Sequence, residues 1–156
     1  MAAKENPAEM ARRIVDEIMY MTLATADGEG RPWASPVWFA ATACREYLWV
    51  SDPSARHSRN IATRQEVAIT IFDSTAPIGG AEAVYVEAVA RKLEGDELQD
   101  GIARYSLRST EVGAPEWSVA DVSSPASLRL YRATATAVFM LGLHDRRIAV
   151  DFGGNS

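Results

Sequence analysis

The chain has 156 residues, of which 47% are hydrophobic and 24% charged, which allows one folded domain with a hydrophobic core and argues against disorder. Its 16 basic and 21 acidic residues give a net charge of −5, which excludes a general nucleic-acid or anionic-membrane binder, since either would need a basic excess. The single cysteine, Cys44, excludes an intrachain disulfide.

The first residues contain acids and lack the apolar stretch of a secretory signal, and no run approaches the roughly 18 apolar residues of a membrane span. We therefore expect a cytoplasmic protein. Within residues 1–19, a helix is predicted from Ala8 to Met19, with Asn6 as its cap and Pro7 in its first turn.

Six segments show strand patterns, and the clearest alternates Val67, Ile69 and Ile71 on one face. The first three are predicted to form an antiparallel meander, and Pro36 interrupts the second, which should leave one side unpaired there. The predicted strands are residues 20–26, 32–40, 46–51, 66–72, 81–93 and 128–141.

Two further helices are predicted, one over 54–63 with Ser54 as N-cap and one from Gly95 to about Leu107. Mostly adjacent strands with helices at the edges predict a mainly β fold with peripheral helices, a closed or nearly closed antiparallel barrel. We expect one domain over 1–156, with the core barrel in 20–93 and a final long strand at 128–141.

The most informative stretch follows the third strand. Ser51 ends that strand, and the predicted helix that follows carries Arg56 and His57 near its start. A helix N-terminus favours a bound anion, Arg56 adds a bidentate donor, and Ser51 or Ser58 adds a hydroxyl. His57 contributes as a cation because a neighbouring phosphate favours its charged form. This pattern predicts a phosphate site, while a basic surface helix without function is the alternative.

The second stretch, residues 30–39, is expected to lie beside the third strand. Backbone groups left unpaired at Pro36 can bind the polar edge of a planar ring, and Trp33 or Trp38 can supply an apolar wall. The alternative is that the aromatic residues of this region belong to the core, namely Trp33, Trp38, Phe39 and Trp49.

Other types of site lack their sequence patterns. His57 and His144 do not have the spacing of metal ligands, so no metal site is predicted. The chain contains neither a Gly-x-Ser-x-Gly elbow nor a GxGxxG turn after a strand, which disfavours a hydrolase triad and a dinucleotide fold.

Taken in order, the motifs resemble the pyridoxamine 5′-phosphate oxidase-like split-barrel family. The similarity runs through Gly-x-Pro and Pro-Val-Trp-Phe in 30–39, Leu-Trp-Val-Ser in 48–51, Ser-x-Arg-His-x-x-Asn-Ile in 54–61 and the Val-Ala-Ile strand. The resemblance implies a six-stranded antiparallel split barrel, a homodimer, and FMN or a deazaflavin coenzyme held in a groove between the subunits.

The resemblance also implies roles for individual residues. Arg56 and His57 stand where the family has an Arg-Lys phosphate-binding pair, and Ser51 stands at its hydroxyl residue. Val37 and Trp38, with Pro36 before them, lie along the strand that borders the flavin ring.

Two arginines of the oxidase pattern are absent. Ser35 stands where the oxidase has an arginine, and Gly142 replaces the first arginine of its Arg-Leu-His-Asp-Arg signature. Tyr131 stands where the oxidase has a tryptophan near the cofactor, on the substrate side.

The expected function is a flavin-dependent oxidoreductase acting on a small molecule other than pyridoxamine phosphate. The cofactor supplies the hydride chemistry, so no catalytic residue is assigned. The alternatives are a non-catalytic protein for flavin storage or sensing, a deazaflavin-dependent reductase on the same fold, and a barrel that binds no flavin.

Overall fold

The computed structural model describes residues 5–153; residues 1–4 and 154–156 of the predicted domain lie outside the described residues. The helices are α1 (Pro7–Glu17), α2 (Arg56–Thr63) and α3 (Gly95–Glu111), with 3-10 turns at Val119–Val122 and Leu143–Asp145. The strands are β1 (Tyr20–Ala26), β2 (Pro32–Trp38), β3 (Ala40–Thr42), β4 (Glu46–Ser51), β5 (Glu66–Phe72), β6 (Ala83–Lys92), β7 (Arg129–Leu141) and β8 (Arg147–Ala149).

Helix α1 begins as its sequence predicts. The Asn6 side chain accepts a hydrogen bond from the backbone N–H of Glu9 at 3.0 Å, and the Glu9 carboxylate accepts one from the N–H of Asn6 at 3.2 Å. This capping box uses two N–H groups that have no partner within the helix. The helix ends at Glu17, two residues before the predicted end, because β1 begins at Tyr20.

All strands join one curled antiparallel sheet in the order β2-β1-β5-β6-β7-β4-β3, with β8 added to β7. The fold is therefore mainly β with peripheral helices, as predicted. The inside of the curl holds a core of alternating strand residues from β1, β4, β5 and β6, among them Leu23, Tyr47, Trp49, Ile69 and Val86. A second core lies under α3 and includes Leu48, Leu98, Ile102 and Leu130.

The predicted meander is wrong at its third strand, and the sheet has eight strands rather than six. The predicted strand 32–40 is divided at Phe39 into β2 and the short β3, which forms a hairpin with β4 through the positive-φ residues Ala43 and Cys44. This hairpin carries β4 away from β2 to pair with β7. The other additional strand is β8, which follows the predicted final strand.

The two ends of the sheet are therefore consecutive in the chain. Strand β2 forms one edge and β3 the other, and Phe39 joins them, but no ladder connects β2 to β4. At Phe39 the chain itself connects the two edges of the sheet. Away from Phe39, the gap between β2 and β4 that no hydrogen bonds bridge is the split of the barrel. As expected, Pro36 lies on a strand that is paired on one side only, opposite Thr22 of β1, and like Pro32 it has no N–H to donate.

Helix α3 covers the outside of β4 and β7. Arg104 of α3 forms an ion pair with Glu46 of β4 at 2.7 Å, and Glu97 pairs with Arg132 of β7. Gly101 makes the closest approach, since a Cβ built there would lie 2.9 Å from Leu93 Cδ1 and 3.0 Å from Leu130 Cδ2.

No helix in residues 5–153 is long and apolar enough to cross a membrane.

The close approach of Gly101 to Leu93 and Leu130 predicts that Gly101→Val lowers the free energy of unfolding by roughly 1–3 kcal/mol. The added methyl groups would overpack the interface between α3 and the sheet. Ala103→Val, on the exposed face of the same helix, is the matched control and should change only the helix propensity, by about 0.5 kcal/mol. Urea denaturation of both variants measures the difference; equal losses would contradict the packing argument.

Candidate functional site

The predicted phosphate site lies where the chain leaves β4 and enters α2. The predicted N-cap is wrong: Ala55 occupies the cap position of α2 and no side chain caps the helix. Ser54 lies in the turn before it, and its N–H donates to the Asp52 carboxylate at 2.8 Å. The N–H groups of the first helical turn are thus free of a side-chain cap, and with the helix dipole they favour an anion.

Ser51 and His57 are brought together beside this helix end. His57 Nε2 lies 2.8 Å from Ser51 Oγ, and the imidazole is half-buried. Burial lowers the pKa of His57 because it disfavours the charged imidazolium. A bound phosphate dianion acts in the opposite direction, so the charge of His57 and the presence of an anion are coupled.

Arg56 extends from the first turn of α2 across the end of β2. Its guanidinium carbon lies 4.4 Å from the centroid of the Trp33 ring, a cation–π contact, and Trp33 is 41% exposed. This contact brings the start of α2 next to the edge strand, so the basic group and an exposed aromatic surface occupy the same end of the split.

A buried polar pair fixes the orientation of α2. Asn60 Nδ2 donates to Thr25 Oγ1 of β1 at 3.0 Å, and both residues are buried. The turn before the helix is held by Arg59, which donates to the Ser54 carbonyl at 2.6 Å. Neither Asn60 nor Thr25 was given a role from the sequence. The available signal was the asparagine of the Ser-x-Arg-His-x-x-Asn-Ile motif, four residues after Arg56 on the same helix face.

The predicted ring-binding residues of β2 fall on both faces of the strand. Ser35 and Val37 lie opposite Leu23 and Met21 of β1 and face the barrel interior, whereas Pro36 and Trp38 face outward. Trp38 is half-buried and packs edge-on against Tyr105 of α3, with ring centroids 4.9 Å apart. It therefore belongs to the core beneath α3.

Two predicted site residues are separated from the rest. Tyr131 is buried in the barrel and stacks on Trp49 with centroids 5.8 Å apart, so within one subunit it does not share a surface with Trp38. The hydroxyl of Ser58 is buried without a hydrogen-bond partner and is not part of the Ser51–His57 pair.

Several solved structures share this fold. A heme binding protein from Mycobacterium smegmatis is 23% identical with a TM-score of 0.72, over 97% of this chain and 60% of that one. HutZ, a heme storage protein from Vibrio cholerae, is 23% identical with a TM-score of 0.66, over 83% and 90%. An F420 reductase is 19% identical with a TM-score of 0.60, over 81% and 94%. The chain thus spans about 60% of the length of the Mycobacterium protein.

No curated protein sequence matches the chain significantly. The sequence model of the pyridoxamine 5′-phosphate oxidase family matches residues 8–142. The match includes α1, α2, α3 and strands β1 to β7. It covers most of the chain, and the curled antiparallel sheet agrees with it. The chain therefore belongs to the pyridoxamine 5′-phosphate oxidase family.

Proposed function

We propose that this chain binds FMN through the start of α2 and works as a flavin-dependent oxidoreductase on a small molecule. The observation that carries the proposal is the uncapped N-terminus of α2, flanked by Arg56 and by the Ser51–His57 pair at the open end of the split. A planar cofactor with a phosphate at one end fits this arrangement. The phosphate would lie at the start of α2, and the ring would lie along the unpaired edge of β2, which adjoins it.

The residues present match the two ends of FMN. The helix N–H groups, the Arg56 guanidinium and the Ser51 hydroxyl are donors for a phosphate. The free edge of β2 offers backbone groups for the polar edge of the flavin ring, along Ser35, Pro36, Val37 and Trp38. Ser58 and Tyr131, which line the space behind α2, do not contact the phosphate in this proposal.

The flavin, when bound, supplies hydride transfer at its N5 atom. The residues of the chain bind the phosphate, orient the ring along β2 and exclude water from the split. No acid or base residue is assigned.

The substrate proposed is not pyridoxamine phosphate. Ser35 and Gly142 stand where the oxidase has arginines, and at position 142 a side chain would meet Ile148. A Cβ at Gly142 would lie 2.8 Å from Ile148 Cδ1 and 3.3 Å from the Arg146 carbonyl oxygen. A side chain at 142 would therefore require the exposed side chain of Ile148 to move.

A homodimer, with the cofactor groove completed by the second subunit, is part of the proposal. The outer face of the sheet supports it: Ala34, Ala24 and Ala68 lie opposite one another across β2, β1 and β5. Phe72 and Val89 are exposed large apolar residues on the same face. The same face carries Glu87 opposite Ala68 and Glu66 opposite Val89, so the small and apolar side chains form a patch bounded by two carboxylates. A patch of this kind suits packing against the same patch of a second copy. A cytoplasmic location stays a prediction of the sequence.

Two other functions use the same groove. A deazaflavin-dependent reductase is the second candidate, because an F420 reductase shares the fold and because histidine replaces lysine at position 57. A non-catalytic binding protein is the third, since a heme storage protein shares the fold as well.

The purified protein should carry or take up FMN, with flavin absorbance bands, and should oxidise NADH or NADPH with an acceptor present. Titration with FMN and with the deazaflavin coenzyme separates the first two candidates by affinity. Tight FMN binding without reduction by nicotinamide cofactors would favour the storage or sensor function. A protein that binds neither cofactor would contradict the proposal.

Arg56→Ala should weaken FMN binding by roughly 1.5–3 kcal/mol, the value of a charged hydrogen bond, and riboflavin binding much less, since riboflavin has no phosphate. Arg64→Ala, at the other end of the same helix, is the matched control and should leave both affinities unchanged. Fluorescence titration measures the affinity of each of the two variants for FMN and for riboflavin. Equal losses for FMN and riboflavin in Arg56→Ala would show that the arginine acts through folding.

FMN binding should strengthen as the pH falls from 8 to about 6.5. Burial holds His57 neutral in the free protein and the phosphate favours its charged form, so binding takes up a proton. One proton changes the affinity by at most about tenfold per pH unit. Above pH 6.5 the phosphate itself, with its second pKa of about 6, stays mostly a dianion. His57→Lys should flatten the profile; an unchanged slope in that variant would assign the proton elsewhere.

A further inference from the structure

A small cavity of about 180 Å³ lies behind α2, between that helix, the end of β6 and the start of β7. We call it the Ser58 cavity; Ser58, Gln65, Arg91, Lys92 and Tyr131 are among its lining residues. It is distinct from the phosphate site described above. Arg56 and Asn60 contact β2 and β1, whereas Ser58 lies about half a turn away on the other side of α2.

The hydroxyl of Ser58 is the most unusual polar group in this cavity. Ser58 is only 3% exposed, and its Oγ has no hydrogen-bond partner. A helical serine commonly donates to the carbonyl four residues earlier, but Ser58 Oγ makes no such bond to Ser54, whose carbonyl accepts from Arg59 at 2.6 Å. Buried hydroxyl groups in proteins are nearly always satisfied, so Ser58 Oγ is a hydrogen-bonding group left available to a molecule in the cavity.

The charges around the cavity favour an anionic partner. Among the described residues that line it are two cations and no carboxylate, in a chain of net charge −5. Arg91 is held by two bonds to Glu97, at 2.6 and 2.8 Å. Lys92 is freer: its Nζ lies 3.4 Å from Glu94, and both side chains are substantially exposed. Such a surface pair contributes little, so Lys92 can turn to a ligand in the cavity.

We propose that the Ser58 cavity binds a small oxyanion of phosphate type. Ser58 Oγ donates one hydrogen bond, Lys92 supplies the charge, and the Gln65 amide is a further donor at the rim. The volume suits a single phosphate group, either free or at the end of a small phosphomonoester. This site does not depend on the flavin proposal.

The test measures phosphate binding in a protein whose other site is disabled. In the Arg56→Ala background, calorimetric titration with inorganic phosphate should show saturable binding of one ion per chain. Adding Lys92→Met should weaken it by at least about tenfold, the effect of losing one charged hydrogen bond. Adding Arg45→Met removes an exposed cation that lines no part of the cavity, and should leave the affinity unchanged. Glycerol 3-phosphate in place of inorganic phosphate separates a monoester from the free ion.

Ser58→Ala gives a second readout with a distinctive sign. It removes an unsatisfied buried hydroxyl, so the thermal midpoint without phosphate should rise or stay constant while phosphate affinity falls. A purely structural serine would not produce this combination. Binding that is unaffected by Lys92→Met and Ser58→Ala would overturn the proposal. Binding that disappears with Arg56→Ala alone would also overturn it, while leaving the start of α2 as the phosphate site.

Discussion

The structure depends on one covalent constraint: Phe39 joins the two edges of the sheet. Because β2 ends and β3 begins on either side of this buried residue, the edges must meet there. Beyond it, β4 pairs with β7 and leaves β2 with a free side. The split therefore begins at Phe39, and α2 lies at its other end, where β4 finishes. The candidate cofactor site therefore lies at the end of the split between β2 and β4 that is farther from Phe39.

The sequence predicted the elements better than their partners. Alternation in β5 and the Asn6–Glu9 capping box are local patterns, and each appears in the structure. The pairing of β4 is not local: Trp49 lies opposite Tyr131, far along the chain. Hydrophobic alternation specifies which face of a strand is buried, but several neighbours satisfy it equally. The meander was the simplest arrangement, and the long β7 provided a better partner.

The candidate site was likewise predictable in its residue types but not in its contacts between distant segments. Its residue types and order were visible in the sequence, and the fold brings Ser51 and His57 within hydrogen-bond distance. The uncapped helix start, the contact of Arg56 with Trp33 and the Asn60–Thr25 bond were not predictable, because each joins segments that only the folded sheet brings together. Ser58 has a hydroxyl like Ser51, yet its place on the helix directs it into a different cavity.

The two prolines of β2 have a consequence for how copies of the protein meet. An open strand edge is normally a template on which another chain can add a strand and begin a fibre. Pro32 and Pro36 interrupt the row of donors on this edge, and the opposite edge, β3, is only three residues long. Neither edge offers a continuous ladder to a second molecule. The chain can thus keep an unpaired strand edge beside the split in its barrel and still resist edge-to-edge aggregation.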